Sequence, residues 1–274
     1  AFFEICKTCV IMEKNKKRKT EMATVKIIFF DIDGTLLNFK ARTITPRIKQ
    51  TLDGLRQKGI KLCISTGRSP MSLPAFAKEE FDAWLTFNGS YCYDREGEIF
   101  SNPVDVADIK KVAENAAKLG RPIAVATKER MAANGWDQDL EDYYGFTEIP
   151  LEVAPDFEEV CKSGAYQVMV GCREAEHPEL IRGTSHAKIV AWWDRAADVI
   201  PADGGKGLGI SKVLAHYGLA KEEALAFGDG NNDIDMLLAV GTGVAMENGS
   251  DHLKAIATEV CPPVSEDGIY QYCL

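Results

Sequence analysis

The most constraining feature of the chain is a short run rich in β-branched and aromatic residues, 25–30, that stops abruptly at Asp31-Ile32-Asp33-Gly34-Thr35. Such a run, lacking the polar alternation of a half-exposed strand, reads as a strand buried on both faces of a parallel sheet. The same punctuation recurs. A second strand is predicted at 60–65 and runs into Ser65-Thr66-Gly67-Arg68. A later one at 224–227 runs into Gly228-Asp229-Gly230-Asn231-Asn232-Asp233, and Gly205-Lys206-Gly207 opens a predicted helix at 207–216. Between the first two strands, Thr45-Pro46 supplies an N-cap and a first-turn proline. Ile48, Leu52 and Leu55 then follow at helical spacing, and Gly59 ends the helix.

From about residue 91 to 194 the pattern changes. Strand-like pieces at 91–93, 98–100, 123–127, 166–170 and 187–193 are mixed with a helical stretch at 106–119, as expected for a separate α+β unit with its own sheet. After residue 200 the strand–helix alternation resumes, with a helix at 232–239 and a strand at 243–245. The expected fold is α/β: a doubly wound, mostly parallel (Rossmann-like) core over 22–88 and 195–274, carrying an inserted α+β cap over 89–194. Residues 1–21 hold a basic run, Lys14-Asn15-Lys16-Lys17-Arg18-Lys19. They are expected to be a tail or an added segment, the natural protein starting near Met22.

In open α/β sheets, ligands bind beyond the carboxyl ends of the strands. The four polar clusters should therefore meet in one crevice, which gathers several carboxylates. At about 4 Å and an effective dielectric near 20, one pair of like charges costs roughly 4 kcal/mol. A single lysine does not offset that, whereas Lys206 together with a hard, oxygen-ligated divalent cation does. An aspartate is already ionised at neutral pH, so Asp31 can attack phosphorus without an activating base. Asp33, two residues on, is placed to protonate the leaving alcohol and then to activate water. That role requires Asp33 to start protonated, a state that crowding by other carboxylates favours. Thr66 Oγ1, nearby backbone N–H groups and Lys206 Nζ are candidates to hold phosphoryl oxygens.

D-x-D-G-T, then T-G-R, then a G-K-G lysine, then G-D-G-x-N-D resembles the haloacid dehalogenase superfamily, and within it the Cof-like phosphatases with a large α/β cap. The resemblance extends from about residue 25 to the C-terminus, through Asn88-Gly89, the lysine region at 202–210 and Ser265-Glu266-Asp267-Gly268. It implies a Mg2+-dependent phosphatase acting on a small phosphorylated metabolite, a sugar phosphate or a phosphorylated cofactor precursor, through an aspartyl-phosphate. It further implies Asp31 as nucleophile and metal ligand, and Asp33 as acid/base that ligates metal through its main-chain carbonyl. Asp229 is implied as the third ligand and Asp233 as an orienting residue behind the metal or Lys206. Asn232 and Lys206 would contact substrate or phosphate, as would Thr66, Gly67, Arg68 and Asn88.

Other readings are weaker. A P-loop fails because Ile200 and Gly207 stand where a glycine and a Ser/Thr are required. A dinucleotide fingerprint fails because Asp233 takes the third glycine position. A formal net charge of -9 argues against general nucleic-acid binding. No apolar stretch is long enough to span a membrane. Eight scattered cysteines, with only Cys6 and Cys9 as a C-x-x-C pair, read as free thiols of a cytoplasmic protein. His177, His186, His216 and His252 show no metal spacing, and Arg130, Trp136, Trp192 and Trp193 are possible substrate contacts in the cap. The competing functions are a phosphomutase and a non-catalytic phosphometabolite binder. A monomer or weak homodimer is expected.

Overall fold

A computed structural model describes residues 24–38, 41, 43–146 and 149–274. The basic run, Met22 and the Cys6/Cys9 pair lie outside the described residues. The chain begins with β1 (Ile27–Phe30), α1 (Pro46–Gln57), β2 (Lys61–Ser65), α2 (Ala75–Glu79) and β3 (Ala83–Thr86), followed by the hairpin β4 (Tyr91–Asp94) and β5 (Glu98–Ser101). Next come α3 (Val106–Lys118), β6 (Ile123–Ala126), β7 (Met131–Ala133), α4 (Gln138–Tyr144) and α5 (Phe157–Lys162). They lead to β8 (Gln167–Val170), α6 (His177–Leu180), β9 (Ala187–Trp193) and β10 (Ala196–Pro201). The last stretch holds α7 (Lys206–Tyr217), β11 (Ala224–Gly228), α8 (Ile234–Leu238), β12 (Thr242–Met246), α9 (Asp251–Ile256), β13 (Glu259–Cys261) and α10 (Gly268–Cys273).

Two sheets result. The larger has the order β13-β12-β11-β1-β2-β3-β4-β5 and the smaller β7-β6-β8-β10-β9. From β13 to β3 the larger sheet is parallel. Its strands feed opposite faces alternately. Ile28 and Phe30 join Ile48, Leu52 and Leu55 of α1 and Ile269 and Tyr272 of α10. Ile27 and Phe29 join Ile210, Val213 and Leu214 of α7 and Met236 and Leu237 of α8. Helices thus cover both faces, which is why β1 lacks polar alternation. Each large side chain so buried contributes about 1.5–3 kcal/mol. The chain leaves β1 toward β2 on one side and returns as β11 on the other. The carboxyl end of β1 is therefore the switch point where such sheets open a crevice.

The caps behave as their chemistry dictates. Thr45 Oγ1 accepts from Ile48 N at 3.2 Å, Pro46 occupies the first turn, and Gly59 takes φ +76 beyond the last turn of α1.

Two pieces fall elsewhere than expected. The pattern places the strands at 91–93 and 98–100 in the inserted unit, yet β4 pairs antiparallel with β3 and β5 with β4, extending the larger sheet. Phe87, Asn88 and Gly89 all adopt positive φ (52°, 53° and 81°), reversing the chain so tightly that β4 must return beside β3. Likewise β10, whose residues lay in the second core segment, is a hairpin partner of β9 and sits in the smaller sheet. Every pairing in that sheet is antiparallel. One face packs Val125, Val168, Val170 and Val199 against α3 and α5. The other carries Ala124, Ala126, Met169 and Ala196 toward Phe87 in the reversal between β3 and β4.

Candidate active site

Asp31 follows the last residue of β1, and its backbone N–H donates to Phe227 O of β11, so the switch point itself aims the carboxylate outward. Lys206, the first residue of α7, reaches it from across the crevice. Lys206 is wholly buried, with Nζ 2.7 Å from Asp31 Oδ1 and 2.5 Å from Asp233 Oδ1. Asp233 uses its other oxygen to accept from Asp229 N and Gly230 N, both at 2.9 Å, which shapes the loop after β11. Asp229 Oδ1 accepts from Thr35 Oγ1 at 2.8 Å. Gly34, at φ +91, lies so close that an added Cβ would stand 2.1 Å from Asp229 Oδ2; only glycine allows this approach.

Burial pushes the Asp31 carboxyl well above its ordinary range. Lys206 opposes the shift, while Asp233, Asp229 and Asp33 add to it. Asp229 is pushed up to about 7 by burial and then by repulsion from Asp233, against the Thr35 bond and Lys206. Burial alone would lower the Lys206 ammonium, but Asp233 and Asp31 hold it above its ordinary value. One cation faces three carboxylates, and oxygens of Asp31, Asp229 and Asp233 lie within 4.8 Å of one another. An all-oxygen set with this excess of buried negative charge fits a hard divalent cation.

Asp33 is placed differently from the sequence expectation. It does not pack into the carboxylate cluster for its partners; its two oxygens accept from Arg68 Nε at 2.7 Å and Nη2 at 2.8 Å. Arg68 Nη1 also donates to Ser72 O at 2.9 Å, so this arginine is held as much by protein as it is available to phosphate. Thr66 follows β2, is buried, and its Oγ1 accepts from Arg68 N at 3.1 Å. At Gly67 an added Cβ would press on the Asn88 amide at 3.3 Å. Asn88 sits at the tight reversal before β4. Its Oδ1 accepts from Asn232 Nδ2 at 3.2 Å and its Nδ2 donates to Asp198 Oδ2 at 3.4 Å. Asp31, Asp33, Thr66, Gly67, Arg68, Asp229 and Asn232 line one cleft of ≈ 830 Å³, counting its open mouth. Lys206, Asn88 and Asp233 stand behind its walls.

Several contributors escaped the sequence reading. Thr35 and Asn248 brace the loop after β1, the latter donating to Gly34 O at 2.9 Å. Asp235 Oδ2 accepts from Gly207 N at 3.0 Å and fixes the start of α7. Asp198 of β10 accepts from Asn88 and from the Tyr143 hydroxyl. Thr35 stands inside D-x-D-G-T, but nothing in that pattern assigns it a partner, and Asn248 belongs to no motif; Asp198, deep in an apolar strand, shows only as a charge where none belongs.

Arg130, Trp136 and Trp193 do not line the cleft. Arg130 pairs with Glu152 and Asp156, and Trp136 donates to Glu141. Trp193 stacks edge-on with Phe146, which does line the cleft; the Trp192 side chain lies outside the described residues. His186 and His216 pair with Asp203 and Asp94, and none of these four residues lines the cleft. Among the described residues six cysteines are free thiols, and no helix is long and apolar enough to cross a membrane.

The profile of the haloacid dehalogenase-like hydrolases matches residues 28–273. Pyridoxal phosphate phosphatase YbhA of Escherichia coli is 30% identical over 275 residues, covering 91% of this chain and 97% of that protein. The 5-amino-6-(5-phospho-D-ribitylamino)uracil phosphatase YitU of Bacillus subtilis is 27% identical over 262 residues, covering 90% and 95%. Among solved structures, that of the subclass IIB sugar phosphatase BT4131 superposes with a TM-score of 0.82 at 30% identity, covering 90% of this chain and 97% of that one.

Proposed function

Since the chain belongs to the haloacid dehalogenase-like hydrolases and is an enzyme of their phosphatase type, we propose that it hydrolyses a small phosphomonoester with Asp31 as nucleophile and Mg2+ as its metal. The observation that carries this is the convergence of a buried carboxylate, its lysine and two further carboxylates at the carboxyl end of β1.

Asp31 and Asp229 would hold the metal by their carboxylates and Asp33 by its main-chain carbonyl, with Asp233 engaged behind them by Lys206 and two N–H groups. When bound, the cation supplies charge neutralisation for the phosphoryl oxygens. The chain's own residues do the rest. The Asp31 carboxylate forms a bond to phosphorus as the bond to the leaving oxygen breaks, and Asp33 delivers the proton that oxygen needs. Thr66 Oγ1 and the backbone N–H groups after β2 hold the equatorial oxygens, and Lys206 restrains Asp31. In the second half, Asp33 takes a proton from water as water attacks phosphorus, and the Asp31–phosphorus bond breaks to release phosphate. For Asp33 to serve, Arg68 must release at least one of its oxygens. An arriving phosphate offers Arg68 an alternative anion, so that substrate entry and freeing of Asp33 become one event.

The phosphomutase alternative needs a second phosphate held away from Asp31. Among the described residues no lysine, arginine or histidine lines the half of the cleft opposite the motif loops, so hydrolysis is favoured. The test is phosphate release from an aryl phosphate with Mg2+ and with EDTA, for wild type and Asp31→Asn. Metal-dependent release that falls at least 10³-fold in the variant is expected; release by Asp31→Asn at the wild-type rate would overturn the nucleophile.

A further inference from the structure

The cleft has two chemically different halves. Among the described residues, the motif loops provide every charged group in it. The opposite wall is built by Phe87, Ala126, Met131, Tyr143, Phe146 and Met169, and among the described residues it carries no charge. The pleat of the smaller sheet explains this wall. Ala126 pairs with Gln167 and Ala124 with Met169, so these side chains share the face turned from α3, while Val125, Val168 and Val170 take the helix-covered face.

Polar groups on that wall are few, and nearly all are engaged. The Tyr143 hydroxyl donates to Asp198 Oδ1 and accepts from Gln167 Nε2 at 3.1 Å. Gln167 Oε1 is the exception: the residue is 3% exposed, and this oxygen accepts no hydrogen bond. A buried acceptor of that kind is costly unless a ligand donates to it.

A polyol leaving group would bring several hydroxyls against a wall with one open acceptor. A carboxylate or second phosphate there would meet no cation. A flat ring loses nothing on entering: aromatic side chains meet it by face or edge, and two thioethers adapt to its outline. We infer that the leaving group of the substrate is a flat aromatic or heteroaromatic alcohol without a second charge, presenting one N–H or O–H donor to Gln167 Oε1. This deepens the phosphatase reading and rests on it.

The experiment separates the two. Binding of benzylphosphonate and of the phosphonate analogue of glucose 6-phosphate is measured by calorimetry at saturating Mg2+. In parallel, phosphate release is followed from benzyl phosphate and glucose 6-phosphate, both esters of unactivated primary alcohols. Benzylphosphonate is expected to bind at least tenfold more tightly, with kcat/KM for benzyl phosphate at least tenfold higher. Equal or tighter binding of the sugar phosphonate overturns the inference, whatever the turnover. Hydrolysis of both esters with a sugar preference does the same and leaves the phosphatase reading standing. Among the three hydroxybenzylphosphonates, at least one should exceed benzylphosphonate in affinity for the wild type and lose that advantage in Gln167→Met. An advantage that survives the substitution removes Gln167 from the recognition.

Discussion

A lysine with no exposed surface, held by two carboxylates, is expensive to bury and more expensive to break. Lys206, itself out of reach of water, neutralises Asp31 and Asp233. Removing one partner of a buried pair costs about 3–5 kcal/mol, because the remaining charge is left uncompensated. Lys206→Met should therefore lower stability by about that amount in EDTA, and by less at saturating Mg2+, since the cation takes over part of the compensation. Urea unfolding in both conditions measures it; an unchanged midpoint in EDTA would show that the pair carries no such strain. Lys206 was legible because G-K-G opens a helix just where the second core segment resumes. Thr35 and Asp235 were not: a threonine after D-G and an aspartate in a helix have many ordinary uses. Only the approach of Gly34 to Asp229, and of Gly207 to Asp235, gives them theirs. Arg68 was read from T-G-R as a phosphate ligand. Its bidentate bond to Asp33 depends on the loops after β1 and β2 meeting, which no local pattern encodes.

Among the elements, the parallel strands were the most legible, since burial on both faces writes itself as an apolar run. The hairpin β4–β5 was visible as strands but not as members of the larger sheet, because alternation says that one face is covered and not by which layer. β7, with three residues, and the short α4 and α5 fall below the length at which periodicity speaks. β10 hides the most consequential residue. Burial pushes the Asp198 carboxyl up to about 7, against hydrogen bonds from Tyr143, Asn88 and Gln167 that pull it down. A folded-state value above the unfolded one means that the native protein keeps a proton the unfolded chain has lost. The stabilising contribution is complete below the unfolded value near 3.8, falls as pH rises, and is gone above about 7. Its ceiling is roughly 4 kcal/mol. Asp198→Asn has no proton to lose, so the stability difference between wild type and variant should shift toward the variant from pH 4 to pH 7 and then level off. Denaturant titrations at half-unit pH steps decide it; parallel profiles would mean Asp198 ionises alike in both states.

At the scale of the whole molecule, the smaller sheet and the motif loops are joined by a continuous polar chain. Asn232 bonds Asn88, Asn88 bonds Asp198, and Asp198 bonds Tyr143. This chain thus joins two buried acidic centres with different remedies for their charge. Asp198 is relieved by protonation and by neutral donors. The Asp31–Asp229–Asp233 cluster is relieved by Lys206 and, on the reading proposed above, by Mg2+. Burial lifts Asp31 and Asp229 above their ordinary range, so protons compete with the cation there, and metal binding should strengthen as pH rises past about 7. A ligand that binds only the folded state adds about 2.7 kcal/mol at one hundred times its Kd, about 2–4 °C per kcal/mol in a protein of this size. At a fixed Mg2+ concentration the rise in Tm should therefore be larger at pH 8 than at pH 5. It should vanish in Asp229→Asn and persist in Asp198→Asn, whose centre lies beyond Asn88 and has neutral donors as its partners. Scanning calorimetry of the three proteins with and without Mg2+ checks this. An equal rise at both pH values, or one that survives Asp229→Asn, would place the stabilising ion outside the crevice at the end of β1.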